Sequence, residues 1–509
     1  MSRFKWYPST TSAAEPPKSN AGDLLRLIAG GTLNYGMGQS LPLVIGFLLI
    51  PVYTAVLTPE DYGIVEVCAA IGGLLTVFMR FGVPGAVTRF YYEHPEGPEL
   101  QDYVTSVSWF LRLNGLLVGA LAMVAGYVFL PVLIPSLPVF PYVPLAILAS
   151  LLATNSDVQR RLIQVRRQSS YSARLSLASS LIGIALTILL VVGLRLGALG
   201  MMLAQVMTGT IFLVNAAVYL RPDLTGRFKL RIVRESMAYG SGVFGSHFMA
   251  GAGPLVTRSL LAGASSIGAV GLFSLASRVI SPLTIVSNAF TAAYVPEYFA
   301  ARKDGSEGAL SAIAKAERAI WTLGLHATIA VALLGPPVLL LLTPQRFHGA
   351  ASLVPILALG FLGQLLYTLM SPEMFFRKSK WMPPLVTGSN LVTTLAMSVM
   401  LVGPYGAHGI AVASVAGAAV GGLVCGCLVA PTAPVPHEWP GLIRASAISG
   451  TSLVLAWLFS PDTPLDAIMT ALVVLAANAA ALTALGDPLM RRVLVEVQAR
   501  LAVGAQPAK

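Results

Sequence analysis

Residues Leu57–Gly63 read LTPEDYG, a short polar interruption between two long apolar runs. Thr58 is a helix N-cap residue, Pro59 fits a first helical position, and Glu60 and Asp61 suit a positive helix end. Asp61 stands three residues after Thr58, the spacing of a capping box built with a shorter acid. One helix therefore stops here and another starts. No lysine or arginine follows until Arg80. In a membrane protein this marks an outward-facing turn, because basic residues gather in cytoplasmic loops.

The surrounding chain fits that reading. Of 509 residues, 55% are hydrophobic and 11% charged, and the mean hydropathy is +0.75. A soluble domain carries about 25% charged residues, so the chain reads as a polytopic membrane protein. Its net charge of +11 fits basic cytoplasmic loops rather than nucleic acid, since no basic run is interleaved with aromatics. Cys68, Cys425 and Cys427 lie in apolar segments without zinc spacing and imply no disulfide framework. The first 26 residues lack the apolar core of a cleaved signal and read as a cytoplasmic tail.

A spanning helix needs about 20 mostly apolar residues. Fourteen segments qualify: 27–57, 60–88, 104–133, 140–162, 174–195, 197–220, 236–260, 266–296, 316–342, 350–372, 382–403, 406–430, 441–460 and 464–486. With the N-terminus inside, 28 of the 33 lysines and arginines fall in the tails and the even-numbered connections. Arg195, Arg258 and Arg346 fall in outward connections, and Arg112 and Arg278 fall inside spans. A wrong span count would scramble this alternation, so an all-α protein with about 14 transmembrane helices and both termini cytoplasmic is expected.

Landmarks repeat along the chain. Gly63 in YGIVEVCAAI and Gly271 in VGLFSLASRV are 208 residues apart; Gly197 and Gly200 are echoed by Gly406 and Gly409 at an offset of 209. Basic turns at Arg166 and Arg377 share nearly the same offset, which equals six helices. Two six-helix bundles with one orientation are expected to face a central cavity, as in transporters that rock one half against the other. The expected units are a tail (1–26), a bundle (27–221), a basic linker (222–235), a second bundle (236–430), helices 13–14 (431–486) and a cytoplasmic C-terminal tail (487–509).

Ionisable groups inside the bilayer cost about 2.5–3.5 kcal/mol on insertion scales and normally face a cavity. Arg278 lies near the midplane of the eighth span. It is the leading candidate for a cavity contact, with a structural pair to Glu66 as the competing role. Arg112, His247, His326 and Asn288 are further substrate-binding candidates, although hydrogen-bonded histidines and interhelical amides are common. Asn34, Gln39, Asn114, Asn155, Gln205 and Asn390 read as interhelical hydrogen bonders. Arg80, Arg89, Arg160 and Arg258 can snorkel to an interface. Glu66, Glu297 and Asp157 are the acids available for ion coupling. A few arginines in a large apolar cavity suit an anionic amphipathic cargo, since arginine grips phosphate with two donors and stays charged. Rings of like charge, a P-loop, a nucleophile elbow and a zinc-protease motif are absent.

The block PVYTAVLTPEDYGIVEVCAAIGGLL, residues 51–75, followed by RFGVPGAVTRFYYEH, residues 80–94, resembles the start of bacterial polysaccharide transporters of the O-antigen flippase type. VGLFSLASRVISPLTIVSNAFTAAYVPEYF and SNLVTTLAMSVMLVGPYGAHGIAVASVAG resemble their eighth and their eleventh and twelfth helices. The resemblance runs from about residue 27 to 430 and marks the multidrug and oligosaccharidyl-lipid exporter superfamily better than the substrate. It implies a two-lobed flippase, working as a monomer in the bacterial inner membrane. The cargo would be an undecaprenyl-diphosphate-linked oligosaccharide, moved from the cytoplasmic to the outer leaflet for surface polysaccharide. It also implies a proton or sodium gradient as the drive, no bound cofactor, and a polymerase and chain-length regulator as partners. A multidrug–cation antiporter of the same superfamily and a membrane-embedded polymerase or ligase are the alternatives.

Overall fold

The computed structural model describes residues 46–94, 97–166, 168–379, 381–458 and 463–484. The expected tails, most of the first span, Asn34 and Gln39 lie outside the described residues.

Every described element is helical, and helices cover each expected span from the second onward. In chain order they are α1 (Ile50–Val56), α2 (Pro59–Arg80), α3 (Val83–Phe90), α4 (Pro98–Leu133), α5 (Val139–Asn155) and α6 (Asp157–Val165). The next are α7 (Ser169–Thr187, continued by a π-turn), α8 (Gly197–Leu220), α9 (Leu230–Ala264), α10 (Ile267–Val279) and α11 (Ser281–Asp304). The last are α12 (Glu307–Leu342), α13 (Leu353–Phe376), α14 (Met382–Val429), α15 (Trp439–Leu458) and α16 (Pro464–Ala484). Among the described residues nine helices are long and apolar enough to cross a membrane, and the pair α10–α11 would make a tenth.

The turn at LTPEDYG folds as its sequence predicts. Thr58 is the N-cap of α2, its Oγ1 accepts from the Asp61 amide at 3.1 Å, and Asp61 Oδ2 accepts from the Thr58 amide at 3.1 Å. The other oxygen of Asp61 does something the sequence did not suggest. It accepts the Ala198 amide at 3.1 Å, at the start of α8, and so ties two interhelical turns together.

The duplication is visible in detail. Ser266, 208 residues after Thr58, caps α10 by accepting from the Ala269 amide. Gly197 and Gly406 both take a left-handed backbone, with φ of 58° and 52°. At Gly406 the chain turns sharply, so α14 is two spans rather than one. Gly63 and Gly271 meet across the axis between the halves. A Cβ on Gly63 would overlap the Ile267 carbonyl, and one on Gly271 the Pro59 carbonyl. Only glycine lets α2 and α10 approach this closely.

Three features depart from the expected boundaries. The linker 222–235 is helical from Leu230, and Arg231 and Glu235 pair across one turn (3.1 Å) on this polar extension of α9. Arg258, counted with an outward connection although it falls at the end of the expected span 236–260, lies within α9, which continues to Ala264. The eighth span is bent by 43° at Ile280, where Pro282 cannot donate a backbone hydrogen bond.

One core joins both halves at the end that carries the LTPEDYG turn, gathering Tyr62 and Val67 of α2, Leu275 of α10, Leu339 of α12 and Ile410 of α14. At the opposite end the core divides. Val87, Leu111 and Leu162 belong to the N-terminal half, and Tyr294, Tyr298 and Leu369 to the C-terminal half. The halves are thus closed at the LTPEDYG end and parted at the other. The first part of α9 stays with the N-terminal half, through Gly240 against Gly82 and Phe244 stacked on Phe81 at 4.7 Å.

Candidate functional site

Glu66 sits one turn beyond Tyr62 on α2, where the capping box sets the start and rotation of the helix. It is 8% exposed and meets two arginines of the other half. Arg278 Nη2 donates to its Oε1 at 2.7 Å and Arg278 Nε to the same oxygen at 3.3 Å. Arg258 Nη2 donates to Oε2 at 3.2 Å. The Arg278 guanidinium also lies 5.2 Å from the Tyr62 ring centroid, a cation–π contact. One carboxylate thus faces two guanidiniums inside the apolar region, and a net positive charge remains. A buried pair offsets its own desolvation only with good geometry. The surplus charge has no such partner in the cluster and would be offset by an anion.

The cluster lies between two cavities. One, of about 670 Å³, is in the N-terminal half, and Arg278 lines it with Tyr53, Thr187, Gln205 and Thr208. The other, of about 470 Å³, is bordered by Arg258 with Gln364, Tyr367, Thr387 and Asn390. Each arginine therefore faces its own cavity and shares Glu66 with the other. Arg278 takes both roles weighed for it, a pair with Glu66 and a cavity wall. Its side chain is 35% exposed, against 18% for Arg258.

The remaining candidates lie elsewhere. Arg112 is half-buried on α4, 5.5 Å from the Trp109 ring. Asp157 opens α6 and pairs with Arg80 and, at 3.3 Å, with Arg160, tying the end of α2 to the start of α6. His247 and Asn288 are exposed, and Glu297 is half-buried on α11; none of the three lines either cavity. His326 is half-buried, with Nδ1 3.1 Å from the Thr322 carbonyl oxygen.

Sequence reading missed Arg258 as a member of the cluster, because the seventh span was expected to end close beyond it. It also missed two buried acids. Glu373 is fully buried and accepts from Tyr298 (2.7 Å), Arg302 (2.8 and 2.9 Å) and Arg377 (2.9 Å). Glu317 accepts from Tyr294 at 2.7 Å and lies 2.7 Å from His437 Nδ1. Next to it, Arg318 pairs with Glu438 at 3.0 Å. These neighbouring pairs fasten the segment before α15 to α12. Acids at the edge of apolar spans were the available signal, of the kind that singled out Glu66.

A model of the family described as polysaccharide biosynthesis protein matches residues 28–300. No curated protein sequence matches the chain. Among solved structures, the lipid II flippase MurJ in an inward closed conformation superposes with a TM-score of 0.71 at 12% identity, over 87% of this chain and 97% of that one. An inward-facing multidrug resistance MATE family transporter of the MOP superfamily gives 0.64 at 16% identity, over 85% and 100%. A Vibrio cholerae MATE transporter mutant gives 0.52 at 13%, over 83% and 97%. At such identities the likeness concerns the fold.

Proposed function

Because this chain belongs to the polysaccharide biosynthesis protein family and has the fold of MOP transporters, we propose that it is a flippase for lipid-linked oligosaccharides. Its cargo is an undecaprenyl-diphosphate-linked repeat unit, carried from the cytoplasmic to the outer leaflet of a bacterial inner membrane. The fold serves both drug transporters and a lipid flippase, so the choice between them rests on charge. The observation that carries the reading is the pair Arg258 and Arg278 sharing one carboxylate between two cavities. Such a site attracts a diphosphate and repels a cationic drug.

The geometry supports a competitive cycle. With the outer side closed, Glu66 of the N-terminal half occupies both arginines of the C-terminal half. A diphosphate entering from the cytoplasm carries more negative charge and draws the guanidiniums away. Opening outward separates α2 from α10 and takes Glu66 away with α2. Return to the inward form brings the carboxylate back and displaces any remaining anion. An ion gradient can drive this cycle through Glu66, whose protonation releases its two partners.

The test is the lipid-linked intermediate profile of a deletion strain. The unit is expected to accumulate on the cytoplasmic side and surface polymer to fall, both restored by the wild-type gene. Normal polymer with new drug sensitivity selects the antiporter instead, and synthesis or ligation by the purified protein selects an enzyme.

A further inference from the structure

We propose that the cavity of the N-terminal half is a glycan-binding lane. The sugar next to the diphosphate lies beside Arg278, and the following sugars run toward the cytoplasmic mouth between α7 and α8. This deepens the flippase reading and rests on it.

The lane has the chemistry of a sugar site along its length. One face of α7 presents Ser176, Ser179, Ser180, Gly183 and Thr187 at helical spacing, and all five line the cavity. Ser180 and Thr187 donate to carbonyls of their own helix, at 3.0 Å to Ser176 and 2.7 Å to Gly183. Their oxygens keep the capacity to accept hydroxyl protons from a ligand. On the opposite wall, Thr208 Oγ1 is buried without a hydrogen-bond partner among the described residues. Proteins rarely leave such a group unpaired. It packs against Gly183, where a Cβ would lie at an ordinary contact distance of 3.6 Å from the hydroxyl.

The cytoplasmic mouth adds amides and aromatic faces. Gln159 donates to Asn215 Oδ1 at 2.8 Å, and the Tyr171 hydroxyl donates to the same oxygen at 3.3 Å. Tyr171 and Tyr219 stack with centroids 5.6 Å apart and border a further pocket of about 450 Å³ with Gln168 and Asn215. Aromatic faces take the apolar side of a sugar ring while amides take its hydroxyls. Among the described residues, the larger cavity includes Arg160 and Arg278 and no acid, which suits neutral or acidic sugars. Its volume of about 670 Å³ lies within the roughly 300–1,000 Å³ of ligand sites. In the smaller cavity of the other half, Thr394 already donates to Asn390 (3.3 Å).

The test uses inverted membrane vesicles holding the full chain in a Cys427→Ser background, since Cys427 is the exposed native cysteine. Thr208→Cys and, in the other cavity, Thr387→Cys are labelled with a small polar maleimide. Vesicles come from cells that make the lipid-linked unit and from cells lacking its first glycosyltransferase. Thr208→Cys is expected to react several-fold more slowly in the loaded vesicles, and Thr387→Cys equally in both. Ser176→Cys, exposed at the mouth, is read in the same way and serves if Thr208→Cys does not react. Protection at Thr387→Cys alone, or at none of the three, overturns the lane. If the deletion strain still accumulates the unit in that case, the flippase reading stands; if it does not, both fail.

Discussion

Glu66 holds two guanidiniums with one carboxylate, and the three residues behave as a unit. Arg278→Ala is expected to abolish export while the protein still inserts and folds, measured by surface polymer against membrane protein level. Arg278→Lys keeps the charge but loses the two-donor grip of Nε and Nη2, so partial export is expected. Glu66→Gln leaves two guanidiniums without a counter-charge. Breaking a buried pair costs about 3–5 kcal/mol when both partners are sealed. Arg278 is partly exposed, so solvent screening makes the loss here smaller. A lowered melting temperature is expected, with binding of a diphosphate retained or strengthened because its competitor is gone. Weaker diphosphate binding by Glu66→Gln would contradict the competitive cycle. The cluster was half legible beforehand. Glu66 and Arg278 announced themselves as charges within apolar runs, whereas Arg258 sat near an expected helix end. Their meeting spans 192 and 212 residues of chain, a distance that no local pattern encodes.

Helices carry their own instructions at their ends, which is why the turns were readable. The Thr58–Asp61 box is complete within four residues and formed as written. The span boundaries depend on apolar content alone, so helices that continue into water, such as α9 at Leu230 and α12 at Glu307, ran longer than expected. The helices after residue 431 are held by a different device. Glu317 with His437 and Arg318 with Glu438 pin the segment before α15, and Trp321 Nε1 donates to Ser446 Oγ at 2.9 Å. Glu317 and His437 are both almost fully buried, at 2% and 5% side-chain exposure. His437→Ala is therefore expected to raise proteolysis within 431–463 and to lower the melting temperature, with the binding of diphosphate left intact. An unchanged cleavage pattern would show that the pair does not hold the segment.

The two halves are joined at one end and parted at the other, and the duplication explains how one chain makes both surfaces. The equivalent helix starts at Thr58 and Ser266 bring Gly63 and Gly271 together, so the closed end is built from two copies of one helix start. Arg346 adds a hold across it, donating to the carbonyls of Thr54 and Ala55 at 2.8 Å each. The functional asymmetry was not legible from the repeat. Glu66 corresponds by the 208-residue offset to Ser274, so the acid exists in one copy only. Side-chain differences of this kind turn a symmetric frame into a directional carrier.

The apposed glycines have a consequence for genetics. Every substitution at Gly63 or Gly271 adds volume, so mutations there push the equilibrium one way, toward an open outer side. A saturation library at the two positions is expected to rank by side-chain size and to ignore polarity, with Ala mildest and Leu or Phe most severe. Labelling of an outward-facing cysteine from outside the cell would rise along the same order. At Glu66 the order would follow charge instead. Two positions one helical turn apart would then obey different rules, volume at the seam and charge at the site it closes.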